Sequence, residues 1–174
     1  MQTFDEIYAT LKHRVYSTVL SYVQVSEDAE EICQDVFLEV FQNLENYRQE
    51  AQISTWVYRI AVNKSLDFLR YKNRKKRFAF FSSLFKEDSG ELAHDMPHFV
   101  HPGIQLERKE KAGYLFKALN QIPETQKTAF ILIFIEQLSY QEAAEVMNTS
   151  LKAVESLVQR AKKSLRQKLK GMKD

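Results

Sequence analysis

Apolar residues recur by threes and fours along most of this chain, the spacing of helices that bury one face. Phe4, Tyr8, Leu11 and Val15 predict a first helix over residues 4–23. Ala29, Ile32, Cys33, Val36, Phe37, Val40, Phe41 and Leu44 form the broad buried stripe of a second. Ser26 is placed to cap it, and Glu27 and Asp28 suit its positive N-terminal end. A polar loop, residues 45–52, precedes a third helix capped by Ser54 and running to about Arg77, with Val57, Ile60, Ala61 and Phe68 on one face. Periodicity lapses over residues 78–105, where aromatics, acids, Gly and Pro mix as in a linker. It resumes near Leu106 with Tyr114, Leu115, Ala118 and Leu119. Pro123 suits a helix first turn. Ala129, Phe130, Ile133 and Phe134 follow it, and Ile131, Leu132 and Ile135 make that segment apolar nearly all round, which places it centrally.

The end of the chain carries the sharpest local pattern. Ser139 and Glu142 have capping-box spacing and open a short helix containing Ala143, Ala144, Val146 and Met147. Asn148-Thr149-Ser150 is turn chemistry. A second helix then buries Leu151, Val154, Val158, Ala161, Leu165 and Leu169, while Lys152, Ser156, Gln159, Arg160, Lys163 and Arg166 lie on its other faces. A short helix, a turn and a longer basic helix is the layout of a helix-turn-helix, whose second helix enters the DNA major groove. A helical hairpin with a solvated basic face has the same pattern.

Four Gly and three Pro in 174 residues agree with an all-α fold. The formal charge of +2 hides a segregation. Residues 1–70 hold 6 basic and 11 acidic side chains, residues 71–80 hold 5 basic and no acidic ones, and residues 151–174 hold 8 basic and 2 acidic. Two separated basic clusters suit two contacts with a polyanion, and the acidic remainder suits a basic partner. Cys33 is the single cysteine, so neither a disulfide framework nor a CxxC metal site is expected. The first residues lack the pattern of a signal peptide and no run approaches a membrane span, so a soluble cytoplasmic protein without direct membrane insertion is expected.

Three surfaces carry candidate chemistry. Glu31, Gln34, Asp35, Leu38 and Gln42 lie outside the second helix's apolar stripe; they read either as ordinary surface or as a docking face for a basic helical partner. On the third helix Arg59, Asn63, Arg70, Arg74 and Arg77 cluster opposite the apolar side, a stripe able to hold phosphates and hydrogen-bond a base. Tyr47, Trp56 and Tyr58 are near in sequence and able to stack on unpaired bases, although Trp56 equally suits a core.

The order of these features resembles the ECF (extracytoplasmic function) sigma factors, small two-domain promoter-specificity subunits of bacterial RNA polymerase. The carriers are AEEICQDVFLEVF (29–41), STWVYRIAVNKSLDFLR (54–70), IPETQKTAFIL (122–132) and LSYQEAAEVM (138–147), in the family's order. The resemblance implies two small helical domains: residues 1–77 as sigma region 2 and 106–174 as sigma region 4, joined by a flexible linker, 78–105. It implies that Tyr47 and Arg48 lie in the loop holding a flipped base of the −10 element, with Trp56 beside them. Arg59, Asn63, Arg70 and Arg74 would lie on the helix that contacts that element, so that melting traps an extruded base. Lys152, Glu155, Ser156, Gln159, Arg160 and Lys163 would lie in or beside the groove of the −35 element. Glu31, Gln34, Asp35 and Leu38 would dock on the β′ clamp helices of core RNA polymerase, and region 4 on the β flap. Promoter DNA and an anti-sigma factor are the other implied partners; no cofactor and no catalytic activity are implied. Boxes about 16 base pairs apart are separated by roughly 54 Å at ~3.4 Å per base pair, a span for two tethered domains rather than one globule.

Departures from the family bear on specificity. Gln137 and Asn148 stand where many relatives have Gly, and Glu155 stands before Ser156 where many have a basic residue. An acid there loses a phosphate contact or accepts from cytosine N4. Lys64 falls on a buried face, where snorkelling is expected. Two rival readings use fewer of the residues. A stand-alone helix-turn-helix regulator explains 138–169 alone. A zinc site at His94, Asp95, His98 and His101 has suitable ligand spacing inside the linker.

Overall fold

The computed structural model describes residues 2–47, 51–84 and 109–171, and all regular structure among them is helical. Helix α1 spans Phe4–Val23 and starts from a complete capping box, Thr3 with Glu6. It ends at Gln24, whose left-handed φ of 60° lets its N–H reach the Leu20 carbonyl. Helix α2 (Ser26–Asn43) begins at Ser26 itself; Val25 occupies the cap position in extended backbone without a side-chain cap. Ser26 is therefore not the cap its position suggested, and Glu27 and Asp28 supply the favourable charge in that first turn. A 3-10 turn, Leu44–Asn46, leads to the loop that carries Tyr47.

Helix α3 runs Ile53–Leu84, starting before Ser54 and passing Arg77. Residues 78–84 contain neither Gly nor Pro, so nothing in them stops a helix already nucleated. Helices α4 (Lys109–Leu119), α5 (Glu124–Phe130), α6 (Tyr140–Val146) and α7 (Leu151–Lys170) complete the chain. Pro123 stands at the position before α5 rather than in its first turn and makes no side-chain cap, and α5 passes into a π-helical turn, Ile131–Ile135. Gln137 (φ 57°) and Asn148 (φ 49°) hold the left-handed turns before and after α6.

Helices α1, α2 and α3 pack around Val15, Val19, Val36, Val40, Val57 and Ala61, all essentially sealed from solvent. Ile131 and Leu132 are likewise sealed, as their all-round apolar pattern suggested. Five expected apolar positions lie further out, among them Tyr114 and Phe134, the latter 41 % exposed beside Phe130 at 4.8 Å. Phe41 is 62 % exposed, set edge-on against Phe4 at 5.2 Å, because α2's apolar stripe is wider than the groove α1 and α3 offer. Tyr8 is 43 % exposed beside Phe37, and Leu151, the first residue of α7, stands half out of its groove. Lys64 does snorkel, meeting Glu39 at 2.9 Å.

The two units do not stand apart. Residues of α1–α3 share one continuous core with Ala129, Ile131, Leu132, Ala143, Ala144, Val146, Val154 and Val158. Helix α3 packs on α6, and α1 on the π-helical turn. A smaller cluster of Phe116, Leu119, Ile122 and Leu165 ties α4 to α7.

Candidate nucleic-acid and polymerase interfaces

The outer face of α2 is open. Glu31, Gln34 and Asp35 are exposed and Leu38 is 54 % exposed, while Ile32, Val36 and Val40 between them are buried. An apolar side chain ringed by acids on one rigid helix suits a basic amphipathic helix as partner.

The outer face of α7 is equally free. A Ser150 side-chain cap on the Ala153 N–H starts α7, and Val154, Val158, Ala161 and Leu165 bury its inner face. Lys152, Glu155, Gln159, Arg160 and Lys163 project outward, with Ser156 partly covered and accepting a hydrogen bond from Arg160 Nη2 at 3.0 Å. The start of α6 is set by the Ser139–Glu142 capping box, in which the Ser139 hydroxyl holds the Glu142 carboxyl below its ordinary pKa.

The third surface is partly covered. Trp56 is half-buried, packed against the core and against the Tyr47 ring at 5.1 Å. The Tyr47 hydroxyl donates to the Ala51 carbonyl. Tyr58 is not available for stacking: it is 2 % exposed, under the Arg14 guanidinium at 5.4 Å, and burial raises its pKa. Arg59 Nη2 donates to the Glu145 carbonyl of α6 at 2.6 Å. Arg70 pairs with Asp67 at 3.2 Å and with Glu124 of α5 at 3.0 Å. Asn63 and Arg74 are exposed. A cleft of about 830 Å³ separates Tyr47, Gln52 and Ile53 from Ser139, Glu142 and Glu145. Arg48, the Arg77 side chain and the four linker residues with metal-ligand spacing lie outside the described residues. No cluster able to hold a metal ion occurs among the described residues, and no helix is long and apolar enough to cross a membrane.

Between the units lies a polar seam that the sequence pattern did not reveal. Gln24 Nε2 donates to Asn120 Oδ1 at 3.0 Å and Asn120 Nδ2 donates back at 2.9 Å. The Lys127 ammonium, 5 % exposed, donates to the Tyr22 carbonyl at 3.1 Å and to Asn120 Oδ1 at 2.8 Å. Burial lowers its pKa to about 8, against a smaller opposing pull from Glu124. Arg14 Nη2 reaches the Glu136 carbonyl at 3.1 Å, and Ser17 donates to the Glu136 carboxylate at 3.3 Å. Burial raises the Glu136 pKa, and the Thr18, Arg14 and Ser17 side chains oppose the rise. The one available signal was a charge at either end of an apolar run, Lys127 and Glu136 bracketing TAFILIFI.

An acidic-faced helical bundle with a basic third helix, joined to a helix-turn-helix, defines a two-part promoter-binding subunit. Comparison gives the family. Residues 7–75 match Sigma-70 region 2 and residues 112–165 match Sigma-70, region 4. The chain belongs to the sigma-70 family of RNA polymerase sigma factors, within its ECF group. It is 26 % identical over 166 residues to the RNA polymerase sigma-H factor of Pseudomonas aeruginosa, covering 94 % of this chain and 84 % of that one. It is 25 % identical over 171 residues to the ECF RNA polymerase sigma-E factor of Escherichia coli K12, covering 98 % and 88 %. Two solved structures share the fold at 20 % identity. The sigma factor RpoE of Bartonella quintana, in complex with the anti-sigma factor NepR, has a TM-score of 0.68, covering 96 % of each chain. CnrH, in complex with the cytosolic domain of CnrY, has a TM-score of 0.67, covering 97 % of this chain and 88 % of that one. A region 2 match across the first unit disfavours a stand-alone helix-turn-helix regulator.

Proposed function

We propose that this chain works in the cytoplasm as a promoter-specificity subunit with no chemistry of its own, the polymerase carrying the catalytic step. Residues 1–77 act as the polymerase-docking and −10 unit, and 106–174 as the −35 unit. Glu31, Gln34, Asp35 and Leu38 dock on the β′ clamp helices, and the second unit on the β flap. Tyr47, Arg48 and Trp56 hold an extruded base, while Arg59, Asn63, Arg70 and Arg74 contact the strand it leaves. Lys152, Glu155, Ser156, Gln159, Arg160 and Lys163 read the −35 duplex. The observation that carries this reading is the joint exposure of two opposed surfaces: the acidic, leucine-centred face of α2 and the basic face of α7. One suits a protein helix and the other a phosphate backbone. An anti-sigma factor is the expected regulator, as the structurally similar sigma factor RpoE of Bartonella quintana was solved in complex with the anti-sigma factor NepR.

The test is run-off transcription with purified core polymerase on a genomic fragment library, with and without the chain. Discrete new start sites sharing two upstream boxes are expected. Asn63→Ala should impair open-complex formation and leave core binding intact. Loss of core binding in Asn63→Ala, or duplex binding with no new transcripts, would refute this division of surfaces.

A further inference from the structure

Charge divides along the length of α7. Residues 160–170 carry six cations, Arg160, Lys162, Lys163, Arg166, Lys168 and Lys170, all exposed, and no acid. Residues 151–159 carry one cation, Lys152, and one acid, Glu155. The later half therefore supplies the charge that holds phosphates, and the first half is left neutral. In a helix-turn-helix it is the first turns of the second helix that reach base edges. Glu155 stands there, exposed, with Gln159 one turn on along the same side. Among the described residues no ion pair or hydrogen bond engages the Glu155 carboxylate. Arg160, the next guanidinium along the helix, donates to Ser156 instead, at 3.0 Å.

A carboxylate among phosphates lowers affinity for every DNA sequence alike. Facing a base it discriminates, because it accepts hydrogen bonds and donates none. In the major groove guanine presents N7 and O6 and thymine presents O4, all acceptors that repel it. Adenine offers its N6 amino group beside the N7 acceptor, so an attraction comes with a repulsion. Cytosine offers its N4 amino group with no acceptor at that edge. We propose that Glu155 is a specificity-determining residue of the −35 unit: its carboxylate accepts a hydrogen bond from the N4 amino group of a cytosine, which this chain requires at one position of the box. The inference rests on the functional reading above, in which α7 enters the −35 duplex. Two substitutions then have defined consequences. Glu155→Gln supplies an amide that donates and accepts and so pairs with adenine at N6 and N7, changing the preferred base from cytosine to adenine. Glu155→Ala leaves no polar group and accepts all four bases at that position.

The test uses the chain bound to core polymerase and a pool of promoter fragments randomised over the −35 box, with the bound fragments sequenced. Wild type should favour cytosine at one position, on one strand, by about tenfold or more, the discrimination of one good base contact. Glu155→Gln should move that preference to adenine. Glu155→Ala should bring the four bases there to within about twofold of one another, with the preferences at every other position unchanged. Both variants keep the buried inner face of α7 intact, since Glu155 is exposed. A carboxylate that acts only on phosphates gives a different pattern: both substitutions tighten binding to all fragments by the same factor and shift no base preference. That pattern, or a set of base preferences that Glu155→Ala leaves unchanged, would overturn the proposal and leave the −35 reading standing. If wild type showed no base preference anywhere in the box, the −35 reading itself would fall and the proposal with it.

Discussion

The sharpest energetic consequence of the seam concerns Lys127. Its ammonium is buried against the Tyr22 carbonyl and Asn120, and its pKa falls from an ordinary 10.5 to about 8. The folded chain therefore gives up this proton around pH 8, while the unfolded chain keeps it until 10.5. Between those values the unfolded state binds more protons, so stability rises with pH. The contribution is fully present above 10.5 and is lost as pH falls through 8. Over the whole gap it amounts to about 3 kcal/mol. From pH 7 to 9 the rise is about 1 kcal/mol. Cys33 acts the other way. Burial pushes its thiol from 9.0 up to about 12, so ionisation of the unfolded thiol takes back a smaller part of that gain by pH 9, equally in wild type and in a Lys127 variant. The assay is urea unfolding followed by the fluorescence of Trp56, the sole tryptophan, at pH 7 and 9. Lys127→Met removes the titrating group and keeps the stem's volume, so the difference in pH response between the two proteins isolates it. Wild type should gain about 1 kcal/mol more than the variant over that interval. Parallel responses would refute the claim that a charged Lys127 is desolvated in the closed chain.

Other positions give independent checks. Ser139→Ala removes the α6 capping box and should cost about 1 kcal/mol in the same urea assay. Gln137→Gly relieves a left-handed backbone position and should raise stability by roughly 0.5–1 kcal/mol; a loss would mean the Gln137 side chain contributes more than its backbone strain costs. Arg160→Ala with Lys163→Ala should weaken duplex promoter binding and lower the salt slope by about 2, measured by fluorescence anisotropy between 50 and 200 mM salt.

What the sequence disclosed and what it hid divide along a physical line. Features set within one or two helical turns were legible: the bounds of α1, the Ser139–Glu142 box, the turn at Asn148 and the buried stripe of α7. Each is encoded by residues three or four apart, which helical geometry makes neighbours. The same logic placed Glu31, Gln34, Asp35 and Leu38 outside the core. Errors came where width rather than period mattered. Phe41 belongs to α2's apolar stripe by spacing, yet how much of a stripe is covered depends on neighbours the period cannot see. Gln137 gave no turn signal because glutamine has no preference for positive φ. The seam was hidden for a stronger reason. Gln24 and Asn120 are 96 positions apart, and Arg14 and the Glu136 carbonyl 122, so no local rule pairs them.

That seam also holds the two units together differently from the way the helices of the first unit are held. Within the first unit the helices meet through Val19, Val36, Val40 and Val57, and separating them would expose apolar surface with no compensation. Between the units the apolar contact of the Ile131–Ile135 turn is flanked by Lys127, Gln24, Asn120, Arg14 and Glu136. Water replaces most of what each of those groups gives up, so a hydrogen bond between them contributes only about 1 kcal/mol net. Their net term is therefore small for the buried area they occupy. What they supply is register: an unpaired buried ammonium or carboxylate is costly, so the units close in one arrangement or separate. A purely apolar seam of the same size would be harder to open and freer to slip. The polar groups of this interface thus fix one arrangement of the units while adding little to the free energy that holds them together.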